Sequence, residues 1–383
     1  MTTRKLRAVA TALLLGTAIL GAVAAFQTAS AQGSVSAAMG PPLKEMQAHL
    51  AAKRYSEATA RLNAAAALAK TPYENQVVKQ YRDIIAIQSG DTSTPLGAKA
   101  KFANDAQSGN WRGVIADADI LKKMNALDAQ SMVVVAQAYY RLNDSKNCIA
   151  YIRSNRLGGE TALQTLQRCA YDAGDEATQR QALEQLVSAT GKAEHWKGLL
   201  RLAERAKGLK DPQSLDLYRI KALTGNLTTE EEVFVYAQLA IQLKFAAEAV
   251  TVVQKGIADK ILPTTGQKAD RTNRLLKLAS DRAAQAAAGA AKALADAQSA
   301  PTGDALVQIG GDQVGQGKAK EAIATIQAGI AKKPADMGYA QTRLGAAYLA
   351  AGQKAEAGRA FNAVKGDERV VMVAHLYELV ARR

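Results

Sequence analysis

The sequence predicts an all-α fold made of repeated antiparallel helix pairs, and three observations support this. Hydrophobic residues make up 48% of the 383-residue chain but aromatic residues only 5%. Alanine, which has the highest intrinsic helix propensity, fills much of the difference. Only eight prolines occur. Small and large apolar residues also return about every 34 residues, which indicates a repeat array rather than one compact core.

The clearest repeat covers residues 338–371. Its key residues stand at positions 7, 8, 11, 15, 20 and 24 from Gly338: Leu344, Gly345, Tyr348, Gly352, Ala357 and Phe361. Small residues at positions 8 and 20 allow the two helices of a pair to touch, and larger apolar residues fill the space around that contact. Weaker copies upstream have these residues at position 20: Val114, Cys148, Ala182, Ala249 and Ala322.

These positions resemble those that define the tetratricopeptide repeat (TPR) superfamily, closely over about 303–366 and less closely over about 95–260. In overall layout the chain also resembles poorly characterised periplasmic TPR proteins of proteobacteria. The resemblance implies a right-handed α-solenoid whose first helices line a concave groove. It also implies that the chain works by binding other proteins rather than by catalysis.

Residues 1–31 are predicted to be a signal peptide. Basic residues precede an uncharged stretch over 8–26, and a small-x-small pattern ends at Ala31, directly before Gln32. We therefore expect a periplasmic protein that has no stable membrane span after cleavage. Because the apolar stretch is about as long as a minimal membrane span, an uncleaved inner-membrane anchor is the alternative.

The mature chain is expected to form two lobes joined by an alanine-rich helix. Residues 283–300 lack the bulky apolar stripe that a buried helix needs. The last residues, 368–383, carry an amphipathic stripe that suits a capping helix at the end of a solenoid. The predicted segments are a flexible leader (32–42), a degenerate TPR-like array (43–265), an alanine-rich helical connector (266–302), and a TPR pair with the capping helix (303–383).

The chain is basic, with a formal net charge of +14, which is near +11 after removal of the signal peptide. A basic surface favours acidic partners, which in a cell envelope are anionic lipid headgroups, wall polymers or acidic protein segments. Nucleic acid is not expected, because an exported protein would seldom meet it. A merely soluble basic surface is the alternative interpretation.

The solenoid geometry implied by the resemblance places a set of side chains in the concave groove. Amides can pair with a peptide backbone, while tyrosine and arginine anchor side chains. The alternative is that a groove facing water is polar without binding anything. The predicted groove residues are Gln137, Tyr140, Arg141, Phe234, Gln238, Gln242 and Tyr339.

Cys148 and Cys169 are the two cysteines. Repeat counting places Cys148 at position 20 of one repeat and Cys169 at position 7 of the next, so the two side chains can meet across a repeat interface. In an oxidising compartment this predicts a disulfide. The alternative is that both fill small buried positions as free thiols.

No motif for catalysis, metal binding or a cofactor stands out. The three histidines are far apart, and no cysteine or acidic cluster completes a zinc set. We expect no enzyme, no metal and no cofactor. The predicted function is a protein-interaction scaffold that binds proteins or peptides of the envelope, acidic segments among them. The alternatives are a charge-driven binder of anionic envelope surfaces and, in third place, a wall-cleaving enzyme built on a helical superhelix.

Overall fold

The computed structural model of the protein describes residues 34–266 and 268–383. Over these ranges the chain forms nineteen α-helices, preceded by a short 3-10 turn at Ala37–Met39, and no β-strand. None of these helices combines the length and the apolar character that crossing a membrane requires. The signal peptide expected over residues 1–31 lies outside the described residues.

The chain divides into two compact units, with the division after Ala173. The helices of the first unit are α1 (Gly40–Ala51), α2 (Tyr55–Ala66), α3 (Pro72–Ser89), α4 (Pro95–Ser108), α5 (Trp111–Lys123), α6 (Ala129–Arg141), α7 (Ser145–Ser154) and α8 (Glu160–Asp172). The helices of the second unit are α9 (Glu176–Thr190), α10 (Ala193–Glu204), α11 (Asp211–Leu223), α12 (Glu230–Gln242), α13 (Ala246–Ala258), α14 (Ala269–Ser299), α15 (Asp304–Gly315), α16 (Ala319–Ala331), α17 (Met337–Ala350), α18 (Lys354–Asn362) and α19 (Glu368–Ala381).

Local signals in the sequence set the helix ends. The hydroxyl groups of Thr71 and Thr229 cap α3 and α12 by accepting the backbone N–H groups of Glu74 and Glu232. Each glutamate reaches back to the backbone of its threonine, which completes a capping box. At the other end of α3, Gly90 has a φ of 63°, a left-handed conformation that glycine adopts without strain.

The repeat register is visible in the packing of the helix pairs. All six residues at position 20 are fully buried: Val114, Cys148, Ala182, Ala249, Ala322 and Ala357. In the clearest repeat, a Cβ atom placed on Gly345 would lie only 2.4 Å from the ring of Phe361. The pair α17–α18 therefore approaches at a glycine, as the spacing predicts. Helices two apart also pack together, as α6 does with α8 and α15 with α17, which is the stacking expected of a helical repeat.

In the first unit, the described part of the expected flexible leader, residues 34–42, differs from that expectation. It is helical from residue 37 onward, and the side chain of Met39 is fully buried in the core between α1 and α2. The carboxylate of Glu74 accepts the backbone N–H groups of Lys70 and Ser36, and these hydrogen bonds lower its pKa to about 2. The leader is therefore held by a buried methionine and by a capping carboxylate.

The second unit contains the alanine-rich helix and the C-terminal repeats together. Helix α15 packs on α13, and the side-chain amide of Gln308 donates to the backbone oxygen of Leu243 at 2.9 Å. The alanine-rich segment expected over 266–302 forms the long helix α14, whose first half packs against α12 and α13. The second unit begins at Gly174, which is not one of the boundaries expected from the sequence. It includes the C-terminal repeats because α15 packs directly on α13 in space, although α14 separates the two in sequence.

The last helix, α19, covers the final repeat and also packs on α9 and α11, which stand near the start of the second unit. The ring of Tyr377 stacks on that of Phe361, with 5.2 Å between centroids, and its hydroxyl donates to Oδ1 of Asp216 at 3.1 Å. Helix α19 is buried on both sides for this reason. The helices of the second unit accordingly form a closed path instead of an open array.

Candidate functional site

The closed path of the second unit surrounds a cavity of about 550 Å³. Its walls come from α11, α12, α13, α15, α17 and α19, and most of the lining side chains are apolar. Four glycines, Gly225, Gly256, Gly311 and Gly315, line it as well. A Cβ atom on Gly311 or Gly315 would lie 2.9 Å from Phe245 or Glu248, so these two glycines allow close packing of the walls. Among the apolar lining residues are Leu223, Leu227, Val252, Val314, Ala346 and Leu349.

A cluster of buried charges forms the polar side of this cavity. Arg219 of α11 makes a bidentate ion pair with Glu248 of α13, with Nε–Oε1 and Nη2–Oε2 distances of 2.6 and 2.5 Å. The same guanidinium donates from Nη1 to Oδ1 of Asp216 at 2.8 Å. Its Cζ atom lies 4.7 Å from the centre of the Phe245 ring. This fork geometry is the one that arginine and carboxylates adopt in their strongest pairs.

Two residues from the C-terminal helices complete the charge cluster. Arg343 of α17 forms an ion pair with Asp216 through Nη2, and Tyr377 of α19 donates to the same carboxylate. Tyr236 of α12 donates its hydroxyl to Oε1 of Glu248 at 2.7 Å. Two arginines therefore face two carboxylates, so the buried charge cluster is neutral as a whole.

The environment keeps these groups in fixed protonation states. Burial raises the pKa of Tyr236 and of Tyr377 well above the ordinary tyrosine value, and neighbouring carboxylates raise it further. Burial by itself would lower the pKa of Arg219, but the charge of Glu248 more than reverses this. The pKa of Arg343 is likewise raised by Asp216 against the effect of burial. The tyrosines thus stay hydrogen-bond donors, and both arginines stay charged.

One strong donor of the cluster is not used. The Nε atom of Arg343 is buried and has no hydrogen-bond partner among the described residues. The side chain is only 3% exposed, and its guanidinium carbon lies 5.3 Å from the centre of the Tyr339 ring. Buried N–H groups of proteins are nearly always paired, so an orphaned guanidinium N–H beside a cavity is unusual.

Three of the groove residues predicted from the sequence lie together on α6 in the first unit. Gln137 and Tyr140 are half-buried and Arg141 is exposed. Their spacing of three and four residues places them on one face of the helix. Within the described part of the chain, none of the three side chains has a hydrogen-bond or ion-pair partner, so their polar groups are free to meet a ligand.

The four predicted groove residues of the second unit do not form a comparable set. Gln238 is exposed, whereas Gln242 is engaged through Nε2 with Oδ2 of Asp211 at 2.6 Å. Tyr339 is half-buried and lies against Arg343.

Phe234 does not lie in a groove, contrary to the expectation from the repeat spacing. It is 1% exposed, and its ring is covered by the guanidinium of Arg271 at 3.9 Å. Helix α14, which carries Arg271, packs on α12 where the simple repeat geometry leaves an open groove. Phe234 is therefore a core residue, and the expectation that it contacts a ligand is wrong.

The two cysteines are brought together at the junction of α7 and α8 in the first unit. Cys148 and Cys169 form a disulfide with a Cα–Cα distance of 6.3 Å, and both are fully buried.

Sequence reasoning missed the charged residues of the cavity. A signal for two of them exists in α11, where Asp216 stands between Leu215 and Leu217, and Arg219 precedes Ile220. Charged residues set among apolar neighbours on a predicted buried helix indicate an internal ion pair. No comparable signal connects α11 with residues more than a hundred positions later.

Comparisons with known proteins add little to this description. No protein-family model matches the sequence, and the search of curated proteins gives no match. Among solved structures, the crystal structure of the P58(IPK) TPR domain aligns over 89% of this chain and 98% of that chain, with 13% sequence identity and a TM-score of 0.22. At such a TM-score the alignment supports no statement about shared geometry. The repeat architecture is therefore described from the residue spacing and the helix packing.

Proposed function

We propose that this chain is a non-enzymatic protein-interaction scaffold of the bacterial cell envelope. In this proposal the exposed face of α6 binds an extended segment of a partner protein. The observation that supports it is the set of free polar side chains on α6: Gln137, Tyr140 and Arg141 adjoin one another and have no partner within the described residues.

The chemistry of these three side chains suits a peptide. The amide of Gln137 can both donate to and accept from a peptide backbone. Tyr140 offers a large, stiff contact area that loses little conformational entropy on binding. The guanidinium of Arg141 pairs with carboxylates, so an acidic segment is the favoured ligand of this basic chain.

Crosslinking in intact cells, followed by affinity capture, tests the proposal. Tyr140→Ala combined with Arg141→Ala should leave the helix content and thermal unfolding nearly unchanged, because neither side chain is part of the core. The same pair should reduce the amount of captured partner. The matched control is Arg112→Ala with Lys123→Ala, two exposed residues of α5, and it should capture as much as the wild type. Equal losses in both double variants would contradict the role of α6.

Charge-driven attachment to anionic lipid or wall polymer is the second candidate function, and the net charge of the chain favours it. The dependence of binding on salt concentration distinguishes the two candidate functions. The screening length falls from about 8 Å at physiological ionic strength to about 3 Å at 1 M salt, so attachment by dispersed surface charge should be lost. Binding through the α6 face should weaken much less.

Location in the envelope has its own test. The predicted cleavage site implies that the exported protein begins at Gln32. Intact-mass measurement of protein from the periplasmic fraction should give that start. Recovery of the full-length chain in the membrane fraction would instead favour an uncleaved anchor.

A further inference from the structure

We propose that the cavity of the second unit is a binding site for a small, electrically neutral amphipathic molecule. Its apolar body would lie against the aliphatic walls, and a carbonyl or similar acceptor would face Arg343. This site is separate from the α6 face and takes a different class of ligand.

The size and lining of the cavity resemble those of small-molecule binding sites. Its volume of about 550 Å³ falls within the range of roughly 300–1,000 Å³ that is usual for small-molecule sites. Such sites combine apolar walls with a few polar groups that converge on one side, as the charge cluster does here. Protein interiors otherwise pack with few voids larger than a water molecule, so a space of this size is a distinct feature of the second unit.

The cavity is accessible from outside. Leu223 lines it and is 53% exposed, although it is a large apolar residue. Lys255 and Asp259 stand beside the same opening and form an exposed surface ion pair at 2.9 Å. The mouth is therefore apolar with a polar rim, and a molecule can enter without unfolding the unit.

Arg343 determines which polar group the ligand needs. A guanidinium has five N–H donors and no acceptor. Arg343 uses Nη2 toward Asp216, while its Nε has no partner among the residues that the structure describes. A buried donor without a partner costs free energy, and a small shift of the side chain toward an acceptor atom of a ligand would remove that cost. The ligand therefore needs a hydrogen-bond acceptor at its polar end.

The charge balance argues against a carboxylate at that end. Arg219 and Arg343 are already neutralised by Asp216 and Glu248. A third carboxylate in the same buried space would have no cation left to compensate it, and two carboxylates would repel it. A neutral acceptor at the guanidinium of Arg343, which lines the cavity, avoids this cost. The chemical class is thus a neutral amphiphile, such as a fatty amide, and not a fatty acid.

Fluorescent probes test this class on the full-length mature protein. Nile red is a neutral, apolar dye with a carbonyl acceptor, and 8-anilinonaphthalene-1-sulfonate is an anionic dye of similar size. Nile red should bind saturably at one site, and the anionic dye should bind at least about tenfold more weakly because of the uncompensated charge. Decanamide should displace Nile red at a concentration about tenfold or more below that needed for decanoate.

A filled cavity provides the matched control. Ala346 lines the cavity, and Ala346→Phe places an aromatic ring inside it while leaving the charge cluster intact. Ala355 is an exposed residue of α18 outside the cavity, so Ala355→Phe adds the same side chain without filling the site. The first variant should weaken Nile red binding by about tenfold or more, and the second should leave it unchanged.

Each outcome of these binding measurements either supports or overturns the assignment of the cavity to a neutral ligand. The proposal is overturned if native protein shows no saturable Nile red binding, or if Ala346→Phe binds as the wild type does. Decanoate that binds as tightly as decanamide would overturn the assignment to a neutral ligand. If Ala346→Phe abolishes capture of a partner protein while Nile red never binds, the cavity belongs to a peptide segment and not to a small molecule. The Nile red, decanamide and decanoate measurements do not depend on the α6 face, so they test the cavity independently of partner binding at α6.

Discussion

Replacement of Asp216 by alanine tests whether the buried charge cluster holds the C-terminal helices against α11. The carboxylate accepts from Arg219, Arg343 and Tyr377, and its side chain is only 4% exposed. In Asp216→Ala, Arg219 keeps its pair with Glu248, but Arg343 loses the one ionic partner that it has among the described residues. Breaking a buried ion pair from one side typically costs about 3–5 kcal/mol, so we expect a decrease of that size in the free energy of unfolding.

Urea unfolding followed by far-ultraviolet circular dichroism measures this loss. Asp259→Ala is the matched control because it also removes a paired aspartate, but from the exposed pair with Lys255. Such surface pairs contribute about 0–1 kcal/mol. The double variant Asp216→Ala with Arg343→Met also removes the cation that Asp216→Ala alone leaves unpaired. We therefore expect the double variant to be more stable than Asp216→Ala alone.

Two results would refute this reasoning. If Asp216→Ala is as mild as Asp259→Ala, the cluster does not hold the unit together. If the effects of the Asp216 and Arg343 substitutions simply add, the two residues are not energetically coupled, since contacting charges should deviate from additivity.

Three further predictions concern stability. Ala357→Leu should overpack the contact between α17 and α18 and reduce the free energy of unfolding by about 1–3 kcal/mol, measured by urea unfolding; a neutral result would mean that the repeat register is wrong. Thiol labelling in denaturant should detect neither Cys148 nor Cys169 until reductant is added, and reduction should cost about 3 kcal/mol for a loop of this length. The third concerns His375, whose pKa is raised by its hydrogen bond to Glu184. Because the folded value lies above the unfolded value of about 6.5, this stabilisation is complete below that pH and is lost as the pH rises through the folded pKa. The difference in urea midpoint between wild type and His375→Gln should thus be largest in mild acid and vanish in alkaline solution; the same difference at both would exclude the ion pair as its cause.

The repeat pairs could be predicted from the sequence because their determinants are local. Position 20 of a repeat must be small or compact, and every residue assigned there is fully buried. The contact of Gly345 with the Phe361 ring follows from the same spacing within a single helix pair. Periodicity of this kind is visible in a short stretch of sequence, so it does not depend on knowing the tertiary structure.

The candidate cavity could not be predicted in this way. Its charge cluster joins Asp216 to Arg343 and Tyr377, which belong to different repeats and share no spacing rule. Phe234 is also affected by a contact that the repeat spacing does not reveal. The repeat spacing predicts a groove position for Phe234, but Arg271 of the inserted helix α14 covers its ring.

The closure of the second unit by α19 changes how this part of the chain must fold. In an open repeat array each repeat depends on its neighbours alone, and folding can spread from any point. Here Asp216 meets Tyr377 across 161 residues of sequence, a contact of very high order. Chains with such distant contacts fold slowly, because a long loop must close before the contact forms. During synthesis α11 can pair with Glu248 of α13, but its contact with Tyr377 cannot form until the last helix has emerged. A C-terminal deletion that removes Tyr377 would therefore destabilise α11, which lies in the middle of the sequence.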